Sequence, residues 1–202
     1  MTVRVEPLTG AALRDRLPDL ARLRIEVFRE YPYLYEGDLA YEERYLAGFS
    51  DARDAVIVAA FAGARIVGAA TAAPLSAQPE VFRAPLAKSG IPAEECFYFG
   101  ESVLLPEFRG RGIGHEFFDE REAHARSFEE VRAAVFCAVV RPEDHPARPA
   151  SYRPLDRFWR KRGYEPLAGA VGRLAWPEAA AGAAIEHEMQ YWLRHLPRGR
   201  GR

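Results

Sequence analysis

Apolar residues fall into short runs and helical stripes whose period changes along the chain. A strand is expected at Val3 to Glu6. Over 11–30, the recurrence of Leu20, Leu23, Val27 and Phe28 predicts helix, with Pro18 starting or kinking it. A turn at Tyr31-Pro32-Tyr33 leads to a second helix, from Asp38 as N-cap to about Leu46. Strands at Ala55–Ala62 and Ile66–Ala73 flank the tight link Gly63-Ala64-Arg65. The first of these is apolar throughout, as a strand buried on both faces should be. A short helix is expected within 78–89, then a strand from Cys96 to Leu105 and a glycine-rich turn. A helix from about Gly112 to Ser127 carries Ile113 and Phe117 on one face, and Val131 to Val140 is again strand. Pro142, Pro146 and Pro149 make an extended loop, and a helix over 154–162 stops at Gly163. Strands near Val171–Trp176 and Glu188–Leu193 precede a frayed tail at 198–202. Hairpins followed by strand–helix–strand make an α+β order.

At 202 residues the chain is expected to form one domain, 1–202. A net charge of −1 gives no electrostatic reason to expect nucleic acid or an anionic membrane as partner. The longest apolar run, Ala55 to Ala64, is too short to span a bilayer, and the start carries no apolar leader. A cytoplasmic protein is therefore expected, with Cys96 and Cys137 reduced in apolar strands. The apolar segment 187–193 suits the closing of a sheet or a homodimer contact.

The chemistry lies in Glu101-Ser102-Val103-Leu104-Leu105-Pro106-Glu107-Phe108-Arg109-Gly110-Arg111-Gly112-Ile113-Gly114, where a strand runs through glycines into a helix. Glycines permit positive φ and close backbone approach, so several N–H groups can face one concavity. The unpaired N–H donors of a helix start favour an anion, and Arg109 and Arg111 add cations. From glycine content alone, an exposed turn with charged flanks is the simpler reading. A dinucleotide fingerprint fails, because its last glycine position is His115. A nucleotide-triphosphate loop fails too, for want of Gly-Lys-Ser/Thr.

What remains, Pro106-x-x-Arg109-Gly110-x-Gly112-x-Gly114 between strand and helix, resembles the coenzyme-A-binding motif of the GNAT superfamily of acyl-CoA N-acyltransferases. Phe158-Trp159-Arg160-Lys161-Arg162-Gly163-Tyr164 resembles that superfamily's Phe-Tyr-x-Lys-x-Gly-Phe helix end. The resemblance implies a mixed, mostly antiparallel central sheet flanked by helices, with two splayed strands forming the acyl-CoA cleft. It implies acetyl-CoA as co-substrate and a small-molecule or peptide amine as acceptor. The amides of Val103, Leu104 and Leu105 would pair with the pantetheine arm, and those of Arg111, Gly112, Ile113 and Gly114 would hold the pyrophosphate. Arg109, Gly110 and Trp159 would complete the cofactor site, and Leu104 would polarise the thioester carbonyl.

Attack requires a neutral amine. A lysine-like amine is only about 0.04% neutral at pH 7, a handicap of roughly 4.6 kcal/mol, against roughly 1.4 kcal/mol for an α-amine. A general base therefore helps the first substrate more than the second. Glu101 stands where some family members carry an active-site carboxylate, although a strand glutamate can equally face solvent or pair with an arginine. Trp159 replaces the tyrosine the family often uses to protonate the thiolate, and an indole is no practical acid. Tyr152 or Ser151 could substitute, or the acid is dispensable because a thiolate leaves readily.

Tyr31, Tyr33, Tyr35 and Glu36 lie where the family lines its acceptor pocket. With Asp38 nearby they suit a cationic or partly aromatic acceptor, or else they cap the core. His145, beside Asp144, could orient the acceptor or sit in a solvated loop. The five histidines show no zinc-site spacing, and no Gly-x-Ser-x-Gly elbow occurs. A non-catalytic acyl-CoA-binding or regulatory domain, motivated by Trp159, is the alternative. A different phosphate-cradle transferase is the third reading.

Overall fold

The computed structural model describes residues 2–87, 89–178 and 183–197; the tail expected at 198–202 lies outside them. The chain runs β1 (Val3–Leu8), α1 (Gly10–Arg14), α2 (Leu17–Phe28), α3 (Leu39–Asp51), β2 (Val56–Ala62) and β3 (Arg65–Pro74). After short 3-10 turns and α4 (Glu80–Arg83) come β4 (Cys96–Leu104), α5 (Ile113–Arg126), β5 (Ala133–Val139), α6 (Asp156–Lys161), β6 (Glu165–Pro177) and β7 (Ala184–His195). The single helical stripe expected over 11–30 divides, because Pro18 occupies the first turn of α2, where its missing N–H costs nothing. The helix expected within 78–89 is likewise cut into short turns by Pro79 and Pro85. Asp38 caps α3 as expected, its side chain accepting from the Tyr41 amide at 2.8 Å.

The sheet order is β1-β2-β3-β4-β5-β7-β6. All neighbours are antiparallel except β4 and β5, which run parallel. β2 is buried at every position, so both faces of the sheet are covered there. Successive residues of β4 show how: Glu101 reaches Arg24 of α2, whereas Ser102 reaches Arg121 of α5. The two helices therefore pack on opposite faces.

Two features of β4 matter for function. Its pairing with β5 covers only Cys96↔Ala133, Phe97↔Ala134 and Tyr98↔Val135, after which the two strands part. Its register with β3 slips between Ala72↔Phe99 and Ala70↔Ser102, a bulge that places Gly100 and Glu101 opposite Thr71. A mixed sheet with a parallel pair that splays open is the expected α+β architecture.

Candidate active site

Beyond Tyr98 and Val135, the facing edges of β4 and β5 make a wedge. Which β4 donors face it follows from register. The Leu105 amide donates to the Val67 carbonyl at 2.9 Å, and Val103 pairs with Ala69, so alternate residues turn towards β3. The N–H groups of Ser102 and Leu104 then point the other way, into the wedge. Leu105, expected to pair with a pantetheine arm, has its amide committed inside the sheet, and Val103 shares its orientation. Leu104 keeps the expected direction.

At the end of β4, a 3-10 turn over Pro106–Phe108 leads to Gly110 and Gly112, with φ of 75° and 88°. Both angles lie in the left-handed region that side chains rarely adopt, so glycine is favoured at each. Gly112 is the N-cap of α5. Among the described residues nothing accepts from the N–H groups of Gly110, Arg111, Gly112, Ile113 or Gly114. Five consecutive donors are therefore left free around a helix N-terminus that follows the β4 edge of the wedge, an arrangement suited to an anion such as a pyrophosphate. The Arg109 guanidinium bonds the Leu104 carbonyl at 3.0 Å and Glu30 at 2.8 Å, tying the loop to the end of α2. Arg111 donates to the Glu107 carbonyl at 2.7 Å and lies over the Phe108 ring. Phe158 of α6 faces Gly114 and the His115 ring, whereas Trp159 packs between Phe136 and Trp192 at ring distances of 5.0 and 5.1 Å.

The Glu101 carboxylate points to the α2–α3 face, 9% exposed, and forms an ion pair with Arg24. Its second oxygen is 3.4 Å from the Tyr45 hydroxyl. Arg24 also bonds the 1%-exposed Glu42 carboxylate, and its guanidinium lies over the rings of Phe28 and Tyr45. Burial raises the Tyr45 pKa, with the Glu101 charge adding to it, so the phenol stays protonated. On the other face, Arg121 is 2% exposed and donates to the carbonyls of Phe117, Thr71 and Glu101 and to the Ser102 hydroxyl. Beneath the wedge, the Tyr98 hydroxyl meets the Cys137 sulfur at 3.3 Å. Burial pushes that thiol up to about 11 and Cys96 up to about 12, so neither is a thiolate nucleophile at neutral pH.

The profile of the acetyltransferase (GNAT) family matches residues 18–164. The chain belongs to that family. No curated protein matches it in sequence. Its fold resembles an N-acetyltransferase from Staphylococcus aureus Mu50 (TM-score 0.61, 10% identity, covering 98% of this chain and 100% of that one). It also resembles yncA of Salmonella typhimurium, solved with its cofactor acetyl-CoA (0.60, 8%, 98% of each chain). A third likeness is to the ribosomal-protein-alanine N-acetyltransferase of Brucella melitensis (0.57, 18%, 97% and 100%). At these identities the likeness shows the fold.

Within this GNAT chain, the loop after α2 divides by role. Tyr31 packs edge-on against Tyr152 at 4.7 Å and near His145 at 5.6 Å, so the structure brings these three expected residues together. Tyr33 sits between Phe28 and Trp176, and burial raises its pKa, with the nearby Cys137 and Glu101 adding to the effect. Tyr35 is buried and bridges to Glu178, and burial raises its pKa, with the nearby Glu42 carboxylate adding to the effect; Glu36 is exposed and donates its amide to the Pro177 carbonyl. Arg141 anchors the loop by donating to the carbonyls of Pro32 and Tyr33 and to Glu178. The residues missing from the sequence reading are Arg24, Glu42, Tyr45, Arg121 and Arg141. Two of them carried a signal: Arg24 lies four residues from both Leu20 and Phe28, and Arg121 four from Phe117 and Ala125, so each puts a charge in a core-facing helical register. Among the described residues no group of three His, Cys, Asp or Glu side chains is placed to hold a metal, and no helix is long and apolar enough to cross a membrane.

Proposed function

We propose that this GNAT chain is an acetyl-CoA-dependent N-acetyltransferase acting on a primary amine of a small molecule or peptide by direct attack, with residues 1–202 as one domain. The observation that carries it is the run of five consecutive amides, Gly110 to Gly114, left without an acceptor among the described residues where β4, parted from β5, hands over to the start of α5. Bound acetyl-CoA would supply a thioester whose C–S bond breaks as the amine nitrogen forms the new C–N bond, the sulfur leaving with the electron pair. The loop amides hold the pyrophosphate, and the inward N–H groups of Ser102 and Leu104 lie along the thioester arm. Glu101 takes the amine proton, directly or through water; Arg24 and Tyr45 leave its carboxylate lone pairs to accept one. Tyr152 is the candidate to return a proton to sulfur, since burial raises its pKa and keeps it protonated. Tyr31, Tyr33 and His145 line the acceptor side. The Brucella neighbour's acceptor, a ribosomal-protein alanine, makes a peptide α-amine one arm of the substrate panel.

The test is release of free coenzyme A from acetyl-CoA in the presence of an amine panel containing polyamines, aminoglycosides, lysine and peptides with free N-termini. Turnover on at least one amine is expected. A non-catalytic acyl-CoA-binding domain is favoured by one observation, the Arg24 ion pair on Glu101. Tight acetyl-CoA binding without turnover on any amine would establish that second reading instead.

A further inference from the structure

The bulge in β4 is fixed from three directions. Gly100 passes so close to Thr71 that a Cβ there would lie 2.5 Å from the Thr71 hydroxyl oxygen. That oxygen accepts from the Glu101 amide at 3.2 Å. From beneath, the Arg121 guanidinium donates to the Thr71 carbonyl at 3.2 Å, the Glu101 carbonyl at 3.4 Å and the Ser102 hydroxyl at 2.9 Å, while its Nε holds the Phe117 carbonyl of α5 at 3.1 Å. It is flanked by the rings of Phe99 and Phe118 at 4.5 and 4.7 Å.

Among the described residues no carboxylate lies within ion-pair distance of Arg121; the Glu101 and Glu122 charges act on it from further off, and its direct partners are these oxygens. Burial lowers its pKa to about 10, which leaves it charged at neutral pH. The Glu101 carbonyl and the Ser102 N–H belong to one peptide unit and point to opposite edges of the strand. A cation on the carbonyl withdraws electron density and strengthens that N–H as a donor, as in any chain of polarised hydrogen bonds. The Ser102 N–H faces the wedge, where the sheet leaves it without a β5 partner and the residue is exposed.

We propose that Arg121 is a positioning residue for acyl transfer: it fixes the β4 bulge and polarises the Glu101–Ser102 peptide, so that the Ser102 N–H stabilises the charge developing on the thioester oxygen. The proposal rests on the acetyl-CoA reading of the cleft and adds a residue that never touches the substrate. One of its bonds is made to the peptide whose N–H faces the cleft, which separates it from the Glu101 side chain on the opposite face.

The test compares wild type with Arg121→Lys and Arg121→Met. Isotope-edited infrared spectra of bound [1-13C]acetyl-CoA read the polarisation directly, calorimetry reads acetyl-CoA affinity, and steady-state rates read kcat. The wild-type carbonyl stretch is expected below that of free acetyl-CoA. It should return towards the free value in Arg121→Met, with an intermediate frequency in Arg121→Lys. Affinity should change by less than about threefold while kcat falls about tenfold in Arg121→Met. A carbonyl stretch in bound wild type equal to that of free acetyl-CoA overturns the proposal even if neither variant folds. So does an unchanged stretch and kcat in Arg121→Met. Failure of wild type to bind acetyl-CoA at all is seen separately in the calorimeter and overturns the proposed function with it.

Discussion

Gly100→Ala puts one methyl group into the tightest contact of the β4 bulge. The new Cβ would stand 2.5 Å from the Thr71 Oγ1 and 3.8 Å from its Cβ, so the hydroxyl alone is in the way. Gly100 is not among the residues with positive φ, so alanine meets a steric term and no left-handed strain. Thr71 is 2% exposed, and its hydroxyl accepts from the Glu101 amide. Relief therefore requires either turning that hydroxyl away, which strands a buried donor at about 1–3 kcal/mol, or spreading β3 from β4, an overpacking cost of about 1–3 kcal/mol. Either route costs about 2 kcal/mol, which lowers the melting midpoint by roughly 4–8 °C in a chain of this size. Thr71→Ala alone removes the acceptor and should cost about 1–2 kcal/mol. In the double variant the methyl occupies the space the hydroxyl left, and the Glu101 amide is already unpaired. The pair should then cost little more than Thr71→Ala, a coupling of about 2 kcal/mol in a double-mutant cycle by urea denaturation. Costs that add to within about 0.5 kcal/mol would show that the bulge is not built on this contact.

Three further outcomes follow from the site. Glu101→Gln should lower kcat at least about 100-fold with acetyl-CoA affinity intact; an unchanged rate would remove Glu101 as the base. Arg24→Met leaves the Glu42 and Glu101 carboxylates without their shared cation. It should cost about 3–5 kcal/mol in urea denaturation, and a loss under about 1 kcal/mol would contradict the buried network. The raised Cys137 thiol sets a pH limit. Its pKa is about 11 in the fold against 9.0 unfolded, so the native state holds the proton longer. The stabilisation is therefore whole below pH 9 and is lost as pH rises towards 11, by up to about 3 kcal/mol. Thermal midpoints of wild type and Cys137→Ala should converge between pH 8 and pH 11, and parallel curves would refute this.

Local signals in the sequence were enough for the sheet and its hairpins, because β2 is apolar at every position and Asp38, Pro106 and Gly163 punctuate as their backbone chemistry demands. The last two strands were harder. β6 begins at Glu165 and β7 at Ala184, well before the expected starts near Val171 and Glu188, because their opening residues are mostly exposed and carry little apolar alternation. Gly169, at a φ of 77°, interrupts β6 inside its register slip. The glycine turn into α5 was legible because glycine spacing is local chemistry. The clamp around Glu101 was not, since Arg24, Glu42, Tyr45, Thr71 and Arg121 are brought together by long-range packing of α2, α3, β3 and α5. Only a charge in an apolar helical stripe hinted at two of them. The inside–outside alternation of β4 shifted at the bulge, so the committed amides of Val103 and Leu105 could not be told from the free one of Leu104.

Backbone amide resonances test the proposed pyrophosphate site most directly. On titration of the 15N-labelled protein with acetyl-CoA, the amides of Gly110, Arg111, Gly112, Ile113 and Gly114 should show the largest downfield proton shifts. The Leu105 amide, bonded to Val67, should move little. Saturable binding that leaves those five resonances in place while shifting others would contradict the assignment of this turn as the anion cradle.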